Sequence, residues 1–314
     1  MRAVIFDGEL RVAELERPTP AANEVLIRPR LMGICNTDLE LMQGYKGFRG
    51  TLGHEFVGDV ETGPREWVGR RVVGSINITC GACDMCVRGL RSHCRNRRTL
   101  GIMNYDGVFA DAFRLPVRNL YAVPDAIPDE VAVFTEPLAA ACQILEVMHI
   151  NPSDRVVLIG AGKLGLLAAQ VINRTGVELT VIVRRERQAR LLSELGIRSA
   201  ERHEVPDNMA DVVVDCTGNA AGFAAALDLV RPRGTIVLKS TYRGLPETDL
   251  TRIAVDEIRV VGSRCGPFDA ALRLMLQSTI EVNTLIEKQF PLTQAVAAFS
   301  YAAQPGVLKV LLTP

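Results

Sequence analysis

Between residues 155 and 172 a buried-strand run, Arg155-Val-Val-Leu-Ile-Gly160, passes through Gly160-Ala-Gly162-Lys-Leu-Gly165 into a helical pattern of Leu164, Leu167, Ala168, Val171 and Ile172. No other stretch restricts the fold as strongly. Glycines at this spacing carry meaning only where a strand turns into a helix. The first permits the tight turn, the second lets a diphosphate approach the backbone, and the third lets helix and strand pack closely. Unpaired N–H groups and the helix dipole then favour an anion at that end. Gly160, Gly162, Lys163, Leu164 and Gly165 are the candidate dinucleotide-binding residues; the competing reading is a glycine-rich turn without a ligand.

Beyond the loop the strand–helix pattern repeats. Strand candidates at Leu179 to Val183, Asp211 to Asp215, Gly234 to Leu238 and Ile258 to Val261 alternate with helical segments around Ala189 to Leu195 and Ala220 to Leu229. Such alternation predicts a parallel sheet covered on both faces, with ligands at the carboxyl ends of its strands. Thr217-Gly218 and Lys239-Ser240 fall at such ends and are candidate cofactor contacts, simple turns being the alternative. A dinucleotide site normally offers an acid to the adenosine ribose about 20 residues past the glycines. Here the segment reads Val183-Arg184-Arg185-Glu186-Arg187. Guanidinium groups pair with a 2′-phosphate that a carboxylate repels, so Arg184 and Arg185 favour NADP over NAD. In the alternative the arginines are a solvated run and Glu186 takes the ribose.

Residues 1 to about 125 read differently, as short β runs (Val25 to Arg30, Phe56 to Val60, Arg71 to Ser75) broken by Gly, Pro and Asn turns. The last 30 or so residues return to a short helix and a terminal strand that can rejoin this half. The expected division is therefore 1–137 with 267–314, and 138–266. With 36 basic and 36 acidic side chains, no single-sign field marks a nucleic-acid or membrane binder. The first residues carry charges where a leader needs an apolar run, and nothing reaches the ~18 consecutive apolar residues of a membrane span. A cytoplasmic location is expected.

In a reducing compartment, clustered cysteines indicate metal ligation rather than disulfides. Cys80, Cys83, Cys86 and Cys94 form C-x2-C-x2-C-x7-C, enough thiolates to close a tetrahedral zinc shell that staples a loop. An iron–sulfur cluster is the rival, but its fourth cysteine follows at different spacing. A second constellation comprises Cys35 in Gly33-Ile-Cys-Asn-Thr-Asp38, His54 and Glu55 in Gly53-His-Glu, and Glu136 in Thr135-Glu-Pro137. One thiolate, one imidazole and a carboxylate make a mixed shell typical of catalytic zinc. Taken singly each has an ordinary structural explanation, and sequence separation does not bring them together.

The segments GICNTD, GHE, the four-cysteine lobe, EPLA and GAGKLG, in this order, resemble the zinc-containing medium-chain alcohol and polyol dehydrogenases, especially the sorbitol and threonine dehydrogenase branch. The likeness covers nearly the whole chain. It implies a GroES-like β catalytic domain, a Rossmann doubly wound cofactor domain, an active site in the cleft between them, and a homodimer or homotetramer. It implies Cys35 and His54 as ligands of a catalytic zinc, and leaves open whether Glu55 or Glu136 supplies the carboxylate. Glutamate at 136 points to polyol-type members, since simple alcohol dehydrogenases have cysteine there. Thr37 matches the hydroxyl that accepts the substrate proton, and Asp38 is placed to orient His54. Glu40 stands where some members carry a relay histidine, so the outer proton path differs. The stretch from Gly58 to Val72 is shorter than usual.

The implied reaction is reversible oxidation of a small alcohol, polyol or sugar-type substrate to a carbonyl, with one catalytic zinc, one structural zinc and a nicotinamide cofactor. Two other classes compete. A zinc-free quinone or enoyl reductase on the same fold needs neither metal constellation. A zinc ribbon for nucleic acid has its only support in Arg88, Arg91, Arg95, Arg97 and Arg98 around the lobe, without stacking aromatics.

Overall fold

The structure, a computed structural model, describes residues 1–241 and 247–314. The chain divides into two compact units, Met1–Glu136 with Ala271–Pro314, and Pro137–Ala270.

In the second unit six strands form one parallel sheet. They are Arg155–Ile159, Glu178–Ile182, Arg198–Ala200, Ala210–Asp215, Val230–Leu238 and Arg259–Gly262. Numbered along the chain, their spatial order is 3-2-1-4-5-6, the doubly wound order whose switch point lies between the first and fourth strands. Near-continuous Val, Ile and Leu runs in the central strands suit burial on both faces. The helix Ala220–Leu229 has the bounds its periodicity predicts, because Asn219 caps it by accepting the Gly222 N–H at 3.0 Å. Phe223, Ala226 and Leu227 then pack into a core with Val157, Val213 and Ile236. The third strand, only three residues long, escaped the hydrophobic pattern.

The first unit is built on antiparallel pairing. Its larger sheet runs Leu120–Ala122, Arg71–Gly74, Glu55–Thr62, Glu24–Ile34, Lys309–Thr313, Ile286–Pro291, with Phe113–Pro116 also on the Glu24–Ile34 strand. The terminal strand rejoins this unit as expected, pairing Val310 with Ile34 and Leu311 with Gly33. The strand expected at Val25 to Arg30 is longer and continues through Pro29 to Ile34. Register shifts between Leu26 and Ile27 and between Pro29 and Leu31 absorb the proline's missing donor, so the strand bends rather than ends. The same pairing sets Gly33 opposite Glu55. Three strands thus bring residues near 34, 55 and 309 to one end of the sheet.

Candidate active site

Cys35 follows the long strand directly and is the N-cap of the helix Asn36–Met42. Asp38, fully buried three residues on, reaches back with Oδ2 to accept the Cys35 N–H at 2.8 Å. Its other oxygen, Oδ1, faces Nδ1 of His54 at 3.2 Å, an ion-pair distance without hydrogen-bond alignment. Thr37 Oγ1 lies 3.7 Å from Cys35 Sγ. His54 follows Gly53, whose φ of +97° turns the chain into the next strand. The Gly53 carbonyl accepts the Val108 N–H at 3.0 Å. A side chain at Gly101 or Gly107 would overlap that carbonyl, so the loop carrying His54 is clamped between backbones.

Donor atoms of Cys35, His54 and Glu55 all lie within 4.8 Å of one another, and both His54 and Glu55 are buried. Glu55 Oε1 has no hydrogen-bond partner among the described residues. A buried acceptor left in that state is costly unless a cation meets it, and three donors of sulfur, nitrogen and oxygen are the number and kind that catalytic zinc takes from protein. Burial works to lower the pKa of His54, yet Asp38 and Cys35 carry it well above the usual imidazole value, so this pocket attracts positive charge. Glu136 sits half-buried in the first turn of the helix Thr135–Val147 and is not in that donor group. The sequence reading missed Lys309, whose buried ammonium pairs with Glu55 Oε2. A lone lysine opening the apolar run Lys-Val-Leu-Leu was the available signal.

All eight cysteines are free thiols. Those at 80, 83, 86 and 94 converge within 4.8 Å, with Cys94 Sγ 3.5 Å from Cys80 Sγ and 3.9 Å from Cys83 Sγ. A tetrahedron with metal–sulfur bonds of about 2.3 Å has edges of about 3.8 Å, so the four fit zinc. Backbone donors at Ala82 and Cys83 pull the Cys80 thiol down to about 6, favouring the thiolate, while burial pushes Cys86 up to about 11. Arg95 braces the lobe with two bonds to Asp84 at 2.6 and 2.7 Å. Arg97 donates to the Ser92 carbonyl, and Arg98 stacks 5.0 Å over the Tyr105 ring. Three of the five arginines around the lobe thus make contacts within their own unit.

In the second unit Gly160 turns with φ +99°, and a side chain at Gly165 would overlap the Gly160 carbonyl. Gly162 is the N-cap of the helix Lys163–Asn173, and the position its side chain would take is open space. Thr217 lies beside this turn; its N–H and hydroxyl both donate to Asp215 Oδ1, at 2.8 and 2.7 Å. Gly218 has φ +70°. Lys239, at the end of the next strand, donates to Ser263 Oγ at 3.3 Å and to the Arg264 carbonyl, and Ser240 follows it, half-buried. Arg184 and Arg185 are exposed just past the second strand, with Arg185 as N-cap of the helix Glu186–Glu194. Glu186 faces Arg190 at 3.4 Å. No helix of the described residues is long and apolar enough to cross a membrane.

Residues 21–125 match the alcohol dehydrogenase GroES-like domain, and residues 164–278 match the zinc-binding dehydrogenase family. Sorbitol dehydrogenase of Halalkalibacterium halodurans is 31% identical, over 98% of this chain and 96% of its own. A zinc-binding dehydrogenase of Sinorhizobium meliloti, solved with NADP, superposes with a TM-score of 0.91 at 28% identity, over 100% and 99% of the two chains. An E. coli alcohol dehydrogenase solved with NADH gives 0.91 at 25% identity with the same coverage.

Proposed function

The chain belongs to the zinc-containing medium-chain alcohol and polyol dehydrogenases, and on that premise we propose which of its residues carry the reaction and on what substrate. The activity is zinc-dependent oxidoreduction between an alcohol or polyol and its carbonyl, coupled to a nicotinamide dinucleotide. The observation that carries the residue assignment is the meeting of Cys35, His54 and Glu55 donors around an orphaned Glu55 oxygen.

Cys35, His54 and Glu55 would hold the catalytic zinc, with Glu136 as the further carboxylate of the site. Cys80, Cys83, Cys86 and Cys94 would hold a second, structural zinc, for a total of two. A bound zinc would supply charge stabilisation at the substrate oxygen, and a bound nicotinamide would supply the hydride acceptor. Thr37 accepts the hydroxyl proton as it passes its own on toward water. Asp38 holds the Cys35 backbone and faces Nδ1 of His54, leaving Nε2 for the metal. The open face at Gly162 and the helix start behind it receive the diphosphate. Lys163, Leu164 and Gly165 continue that cradle, with Thr217, Gly218, Lys239 and Ser240 as its neighbours at the strand ends.

Arg184 and Arg185 support NADP as the preferred cofactor. Glutamate at 136 and the likeness to a sorbitol dehydrogenase support a polyol or sugar-type substrate. The Arg259–Gly262 strand is an edge of its sheet and exposes Val260, a surface suited to a second copy in a homodimer or homotetramer. Following nicotinamide absorbance with NADP and NAD separately, against polyols, sugars, threonine and secondary alcohols, tests the reading. Turnover of a polyol that Cys35→Ser abolishes together with bound zinc supports it; undiminished turnover in zinc-free Cys35→Ser protein overturns the ligand assignment.

A further inference from the structure

Lys309 and Glu55 are 254 positions apart, and only the sheet joins them. The terminal strand pairs with the Glu24–Ile34 strand, which pairs with the Glu55–Thr62 strand, so Lys309 opens beside Cys35 and across from Glu55. The approach is close enough that a side chain at Gly33, between them, would overlap Glu55 Oε2. Lys309 is 3% exposed and Glu55 1%, so neither charge has solvent to fall back on. The ammonium's other wall is the Phe134 ring, with its centroid 5.5 Å away.

The two oxygens of Glu55 are in different states: Oε2 accepts from Lys309, while Oε1 has no partner among the described residues. We propose that Lys309 is a positioning residue that occupies Oε2 and so restricts Glu55 to a single donor oxygen, Oε1, toward the catalytic metal. This rests on the assignment of Cys35, His54 and Glu55 as its ligands. Charge balance supports it. A Cys35 thiolate, Glu55, Asp38 and the further carboxylate Glu136 bring four negative charges to the site, more than a divalent ion alone offsets, and the buried Lys309 ammonium supplies a third positive charge. Without Lys309 the carboxylate is free to turn both oxygens to the metal, filling the position that substrate needs.

The test is the visible spectrum of the cobalt(II)-loaded full-length protein, taken as a difference from cobalt-loaded Cys35→Ser so that the four-cysteine lobe cancels. Lys309→Met should keep the Cys35-dependent sulfur-to-metal band while its d–d bands lose intensity, as coordination rises above four. Its kcat should fall about 10- to 100-fold with metal still bound. Lys309→Arg should restore the wild-type spectrum. If Lys309→Met does not fold, Lys309→Gln should show the same loss, because a neutral donor holds Oε2 too weakly against the metal. In a Glu55→Gln background, removing Lys309 should leave the spectrum unchanged. The proposal is overturned if the Lys309→Met spectrum superimposes on the wild type, or if Lys309→Met shifts the bands equally without Glu55. A wild-type protein with no Cys35-dependent band instead refutes the metal assignment itself, and the role of Lys309 with it.

Discussion

A single carboxylate, that of Asp38, serves two proposed metal ligands at once: Oδ2 accepts the Cys35 N–H at 2.8 Å and Oδ1 faces His54 Nδ1 at 3.2 Å. An asparagine there can keep the Cys35 bond only by turning its NH2 toward His54. Nδ1 must then accept, which moves the ring proton to Nε2, the atom proposed for the metal. Asp38→Asn should therefore weaken zinc binding about 10- to 100-fold with the fold intact. Chelator competition measures the affinity and circular dichroism the fold; unchanged zinc affinity would refute the tautomer argument.

Gly101 has φ +63° and packs on the Gly53 carbonyl. Gly101→Ala adds a strained backbone and an overlap with main chain that no rotamer relieves. A loss of about 2–4 kcal/mol is expected, with reduced metal retention because the displaced loop carries His54. Urea unfolding would read the first effect and metal analysis the second. A variant as stable as wild type would mean that the clamp yields.

Replacing Arg184 and Arg185 together by alanine removes two exposed guanidinium groups from the end of the second strand. If they pair with a 2′-phosphate, KM for NADP should rise about 10-fold or more while KM for NAD changes little. Equal changes for both cofactors would leave the arginines without a role in choosing between them.

Cys94 is 5% exposed and the most buried thiol of its lobe. Cys94→Ser should lower the metal content by one zinc per chain and reduce the melting temperature, because a closed thiolate shell contributes folding energy directly. Retention of two zincs by this variant would contradict the structural-site assignment.

Asp111 accepts from three donors of Arg2, the backbone N–H (2.6 Å), Nη2 (2.7 Å) and Nε (3.1 and 3.2 Å to its two oxygens), and ties the strand Arg2–Phe6 in place. Burial works to raise its pKa, but the bonds and charge of Arg2 outweigh it and hold the carboxyl below the ordinary range. With the folded value depressed, its contribution to stability is complete above the unfolded value of about 4 and is lost as pH falls through the folded one. The stability gap between wild type and Asp111→Asn should thus be full at pH 7 and close as the pH is lowered below about 4. A gap of the same size at low pH would contradict the charge argument.

Much of this molecule was legible because its instructions are local. The glycine loop lies between the strand and helix it joins, the four lobe cysteines span fifteen residues, and Asn219 starts its helix where the periodicity begins. Covalent neighbours cannot stray far, so spacing alone specifies their geometry. The strand read as Val25 to Arg30 runs on to Ile34, because pairing with strands distant in sequence, with a register shift past Pro29, carries it further than its own pattern shows. The choice between Glu55 and Glu136 could not be read at all, since each is a single acid in a plausible setting. Pairing of three strands distant in sequence brings Glu55 to Cys35 and His54, and brings Lys309 behind it. That register is selected by burial over the whole sheet. The sequence by itself therefore determined most strands and helices of the parallel sheet, the spacing of the cysteine lobe and the glycine loop, while tertiary packing decided which buried charges meet.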